Sequence, residues 1–156
     1  LSSFVAQNFG AKKLKRIREG FKSSTTICFA LTVFVIIIMQ LVPARLIGLF
    51  VDSSAEPGVI ETGVKYLRTI SPDYLIICFI ITIGGLLRGI GRVKEFFLVT
   101  VIDFTVRVIM CFVLTDILNS YTGLFYAWYF GSIIDVILCV FIYRHISKNK
   151  ELALQR

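Results

Sequence analysis

Residues 71–92, SPDYLIICFIITIGGLLRGIGR, constrain the chain more than any other stretch. About twenty helical residues, rising about 1.5 Å each, cross the roughly 30 Å hydrocarbon core of a bilayer, and this run has that length and the required apolarity. Its contents are unusual for a plain lipid anchor. Pro72 and Asp73 sit at one end, Gly84, Gly85, Gly89 and Gly91 crowd the other, and Arg88 lies among the glycines. Runs of similar apolarity at about 25–43, 96–114 and 124–143 make four spans in all. Before them, LSSFVAQNFG is too short to cross and reads as the end of a fifth helix.

With 56% hydrophobic residues, only 17% charged residues and a mean hydropathy of +0.82, the chain falls among all-α integral membrane proteins. It opens at Leu1 without an initiator Met, which predicts the carboxyl-terminal part of something longer. A net charge of +7 would suggest nucleic acid in a soluble protein. Here the bases flank apolar runs, as they do facing cytoplasm, and no nucleic-acid partner is expected. Cys28, Cys78, Cys111 and Cys139 fall one in each apolar run, away from CxxC spacing, and are expected to be buried free thiols.

Charges beside the spans give the topology. Lys12, Lys13, Lys15, Arg16, Arg18 and Lys22 make residues 11–22 a basic connector, with helical spacing of Leu14, Ile17 and Phe21 that suits a surface helix. Arg88, Arg92 and Lys94 mark the connection after the second span, and Arg144, Lys148 and Lys150 a short basic tail. The other two connections are balanced (Arg45, Lys65 and Arg68 against Asp52, Glu56 and Glu61) or carry only Asp116. Both chain ends are therefore expected in the cytoplasm, in a multi-pass protein of a cell membrane of the bacterial inner-membrane kind. Pro72 reads as a kink within one long helix, because residues 59–70 already have helical period.

A lone charge at the centre of a span costs about 2.5 to 3.5 kcal/mol on insertion scales, so each embedded ionisable residue needs a reason. Asp103 and Arg107 are four residues apart and share a helix face, as a structural ion pair or as the wall of an aqueous cavity. Asp135 lies on a stripe with Trp128, Gly131, Ser132 and Cys139, as a structural acid or a cation or proton site. Asp73 either meets interfacial water at a helix end or joins a cation pathway. Gly84, Gly85 and Gly89 suit close helix packing, and Arg88 suits a cytoplasmic anchor. Tyr121, Phe125, Tyr126, Trp128 and Tyr129 read as an interfacial belt. The chain carries no HExxH, phosphate-binding loop, Ser/His/Asp set or metal-spaced cluster, and its only histidine, His145, falls in the tail, expected to be solvated. No catalytic residue, enzyme activity, metal or cofactor is expected.

Two segments carry a family likeness. SSFVAQNFGAKKLKRIREGF resembles the run that leaves each lobe's second helix in multidrug and toxic compound extrusion (MATE) transporters. YLRTISPDYLIICFIITIGGLLRGIGRVKEFFLVTVIDFTVRV is similar to that family's Tyr-Leu-Arg, Ser-Pro and Leu-Arg-Gly-x-Gly pattern and the following helix ending in Val-Arg. The resemblance implies a fragment of a twelve-helix, two-lobe transporter, with residues 1–156 as the carboxyl-terminal part of the second lobe. It also implies an antiporter that extrudes drugs or other organic cations against sodium ions or protons by alternating access, with the amino-terminal lobe as the missing partner and membrane lipid around it. Sodium-linked members carry an acid well inside the helix matched by residues 71–92, where this chain has Ile76, Ile77 and Cys78, so the coupling ion stays open between Na+ and H+. The alternatives are a lipid-linked oligosaccharide flippase of the same wider fold, which would favour a cationic cavity, and a non-catalytic membrane subunit. A self-contained four-helix multidrug pump would need an acid in residues 25–43, which have none.

Overall fold

Long apolar runs interrupted only by short polar connections leave helices as the economical way to satisfy every backbone group in lipid. The computed structural model describes residues 1–51 and 57–154, with the side chains of residues 57, 143 and 145–154 outside that description. It has seven α-helices among the described residues: α1 (Ser2–Gly10), α2 (Leu14–Leu41), α3 (Pro43–Gly48), α4 (Pro57–Ile70), α5 (Tyr74–Gly89), α6 (Val93–Leu118) and α7 (Gly123–Leu154). A single 3-10 turn, Ser71–Asp73, joins α4 to α5. Four stretches are long and apolar enough to cross a membrane: Leu14–Leu41, Gly58–Gly89, Val93–Leu118 and Gly123–Ile142.

Three helix ends reverse direction by one device. Lys12, Gly91 and Asn119 each take a positive φ, of 56°, 82° and 46°. In each case the next residue's amide reaches back to the carbonyl five residues earlier: Lys13 to Asn8, Arg92 to Leu87 and Ser120 to Thr115. This arrangement closes the last helical turn and frees the chain to turn back. Only at Gly91 does the residue type suit the conformation without cost.

Several boundaries differ from the sequence expectation. Residues 14–22 are the first turns of α2, continuous with the apolar run, and form no separate surface helix. The Ser-Ser-Thr-Thr cluster fails to break the helix because Thr25 and Thr26 donate their hydroxyls to the Phe21 and Lys22 carbonyls, within the helix itself. Ile17 from this segment is buried with Val5 of α1 and Leu86 of α5. At the other end α7 runs on to Leu154, so the basic tail begins as a continuation of the last span. Asp52 and Glu56, two of the acids that balance the first outer connection, lie outside the described residues, as do the side chains of His145, Lys148 and Lys150.

Packing follows the small residues. A Cβ on Gly89 would overlap Val5 and the Ser2 carbonyl, so α1 lies against the end of α5 only because Gly89 has no side chain. Gly85 faces Leu1, and Gly84 faces the Phe96 ring at the start of α6. Arg88 is exposed and places its guanidinium 4.5 Å from the centroid of the same ring. The most extensive pairing is the α6–α7 hairpin, closed by the turn at 119–122. The four cysteines are free; Cys78 and Cys139 are buried, whereas Cys28 and Cys111 are only partly so.

Candidate functional site

Asp73 lies inside the continuous helical stretch Gly58–Gly89, at the break that Pro72 was expected to make in one long helix. It does not meet water there, because helix α7 covers it. Asp73 is 0% exposed, and its Oδ2 accepts a 2.8 Å hydrogen bond from the hydroxyl of Ser132 on α7, also 0% exposed. Its Oδ1 is buried with no hydrogen-bond partner among the described residues.

The turn that carries Asp73 is braced from two sides. Pro72 has no N–H to give to the carbonyl four residues back, that of Arg68. The Gln40 amide of α2 takes that role, donating from Nε2 to the Arg68 carbonyl at 3.0 Å and to the Ser71 hydroxyl at 2.9 Å. On the opposite side the Tyr129 hydroxyl of α7 donates to the Thr69 carbonyl. Pro72 therefore sits in a break whose carbonyls are satisfied by neighbouring helices, as an irregular backbone inside a membrane requires.

Asp103 and Arg107 meet on α6. Asp103 Oδ1 accepts from Arg107 Nη2 at 2.7 Å and from Nε at 3.2 Å, with both side chains about 15% exposed. The guanidinium lies 4.2 Å from the centroid of the Trp128 ring on α7. Gly131, one turn on from Trp128, faces the pair: a Cβ there would fall on the Asp103 carboxylate and the guanidinium. Arg107 Nη1 and Asp135 Oδ1 are buried and have no partner among the described residues. Asp135 is 7% exposed, and the charges of Asp103 and Arg107 act on both Asp135 and Asp73.

The candidates from the sequence thus converge from the 3-10 turn, α6 and α7. Arg88 and the packing glycines at the end of α5 are elsewhere. Ser132, which sequence reasoning placed on the stripe of Asp135, bonds Asp73 instead. The expected aromatic belt divides: Tyr121 and Tyr126 are exposed, Phe125 is buried edge-on to Tyr66, Trp128 stacks on Arg107 and Tyr129 braces the break. Gln40 and Tyr129 were missed as braces; the signal available was Pro72, which orphans a carbonyl and demands a donor nearby. Among the described residues no three His, Cys, Asp or Glu side chains converge as a metal site.

Helices of membrane length around buried carboxylates and a guanidinium define a multi-pass membrane protein with its polar groups gathered between spans, the organisation of a transporter. The family model described as MatE matches residues 1–113, and the chain belongs to this family of transporters. Neither the curated proteins nor the solved structures gave a match. The family match ends within α6, so Trp128, Gly131, Ser132 and Asp135 lie beyond it.

Proposed function

We propose that the chain works in a secondary active antiporter that extrudes drugs or other organic cations in exchange for Na+ or H+ by alternating access, and that it is not an enzyme. One observation carries this reading: Asp73 and Asp135 are buried between spans, and each keeps a carboxylate oxygen without a partner among the described residues. An acid left incomplete in a low-dielectric setting is costly unless a cation or proton completes it for part of the working cycle. Asp73, Asp103 and Asp135 outnumber Arg107 in the cluster, a balance that favours cationic cargo over the anionic head of a lipid-linked oligosaccharide. A non-catalytic subunit would have no use for unpaired acids. In this reading the chain supplies the end of a second lobe, works with an amino-terminal lobe of the family type, and lies in a cell membrane with its carboxyl end in the cytoplasm.

The test is efflux of a fluorescent organic cation from cells expressing the full-length protein. Asp135→Asn and Asp73→Asn should each lower the efflux rate about tenfold or more at equal membrane abundance, the equivalent of roughly 1.4 kcal/mol of lost cation binding. Efflux at the wild-type rate in both variants would sink the proposal. Reconstitution with a Na+ gradient or a pH gradient alone then identifies the coupling ion.

A further inference from the structure

The Arg107 guanidinium is placed as a bound cation would be. One face lies over the Trp128 ring, at 4.2 Å from its centroid. One edge is paired with Asp103, through Nη2 and Nε. The remaining Nη1 is buried and unpartnered among the described residues, and the fully buried Asp73 and nine-tenths-buried Asp135 each carry an oxygen in the same condition. Gly131 leaves open the volume in which the guanidinium and the Asp103 carboxylate meet. An aromatic face, a paired carboxylate and further acids within electrostatic reach are the elements of a recognition site for a flat, delocalised cation.

We propose that Arg107 is a tethered cation occupying an organic-cation subsite formed by the Trp128 face and the Asp103 carboxylate, with the buried acids Asp73 and Asp135 within electrostatic reach, and that a guanidinium-type monovalent cation takes this place when the Arg107 side chain leaves it. The inference deepens the transport reading and rests on it: the side chain neutralises the acids while no cargo is bound, and cargo enters by exchange with it. Exchange of one cation for another keeps the net charge of the buried cluster constant, which avoids exposing an uncompensated acid to the membrane interior. A purely structural ion pair makes a different prediction, because its removal would leave a damaged protein with no affinity for a free guanidinium.

Trp128 is the only tryptophan of this sequence and lies at the site. The full-length protein is reconstituted in nanodiscs and titrated with methylguanidinium chloride at constant ionic strength, with NaCl as the control salt. Its signal is isolated by subtracting the Trp128→Phe protein. Arg107→Ala should show a saturable fluorescence change with methylguanidinium, about tenfold tighter than in wild type and absent with Na+. Arg107→Gln, which keeps a planar neutral group near the ring, should behave likewise and serves if the alanine variant does not fold. Asp103→Asn combined with either substitution should weaken that binding about tenfold or more. Equal titrations of wild type and both Arg107 variants, or binding untouched by Asp103→Asn, would overturn the proposal. The efflux assay reads separately. Cation efflux without a guanidinium site in the Arg107 variants overturns this inference and leaves the transport reading intact, whereas a guanidinium site with efflux unaffected by the Asp73 and Asp135 substitutions does the reverse.

Discussion

Gly131 decides whether α6 and α7 can share a polar interface. Its missing side chain leaves the space in which Asp103 and Arg107 meet, so Gly131→Ala forces the guanidinium off the Trp128 ring or pushes the helices apart. Overpacking of this kind costs about 1 to 3 kcal/mol, and thermal unfolding in nanodiscs should show a loss of that order; an unchanged melting temperature would mean that the pair moves aside freely. Ser132 has the complementary role. Ser132→Ala removes the only hydrogen bond to the Asp73 carboxylate among the described residues and should destabilise by about 1 to 3 kcal/mol. Ser132→Thr keeps a hydroxyl and should recover part of the loss, a recovery absent if Ser132 matters only for its small size. The Asp103–Arg107 pairing was legible in the sequence, since four residues along one helix fix a common face. The Arg107–Trp128 stack and the Ser132–Asp73 bond were not, because each joins helices whose relative rotation no local period determines.

At the scale of the element, the break at Ser71–Asp73 is held by donors from two different helices. Gln40 from α2 and Tyr129 from α7 clamp adjacent carbonyls, so motion at this joint requires both contacts to yield. A net hydrogen bond contributes about 1 kcal/mol, and Gln40→Leu combined with Tyr129→Phe removes three, two from Gln40 and one from Tyr129, which should lower the local opening free energy by about 3 kcal/mol. Amide hydrogen exchange of residues 70–76 should then quicken roughly a hundredfold, with each single variant intermediate; unchanged exchange in the double variant would show that packing alone holds the joint. The kink followed from Pro72, and the helix before it from the period of residues 59–70, but the donors that satisfy its carbonyls did not, because they come from other helices. The basic turns of α2 were misplaced because charge marks a boundary with water, whereas the helix continues wherever its hydroxyls can bond back along its own axis.

At the scale of the whole molecule, the alternation of four membrane-length stretches follows from apolar length, and the handling of their faces shows why the pattern could be read. The most apolar window of α2 has none of its residues buried, and that of α6 only 6%, so much of their apolar surface is left uncovered by the chain's own packing. Such faces need lipid or another helical unit rather than water. Four crossings also fix relative sides: the loop before α2 and the α5–α6 turn lie together, and the α2–α4 connection and the α6–α7 turn lie opposite. By the positive-inside rule the expected outcome is that the first set, with Lys12, Lys13 and Arg92, faces the cytoplasm. In a chain with its native cysteines replaced, Phe50→Cys and Tyr121→Cys, both at exposed positions, should react with a membrane-impermeant thiol reagent in intact cells. Lys13→Cys and Arg92→Cys should react only after the membrane is opened. Labelling of Phe50→Cys and Lys13→Cys from the same side would break the four-crossing arrangement, because an odd number of crossings must separate them. The reverse pattern, with the basic positions labelled from outside, would keep the crossings but invert the orientation, because one crossing by α2 still separates Lys13 from Phe50.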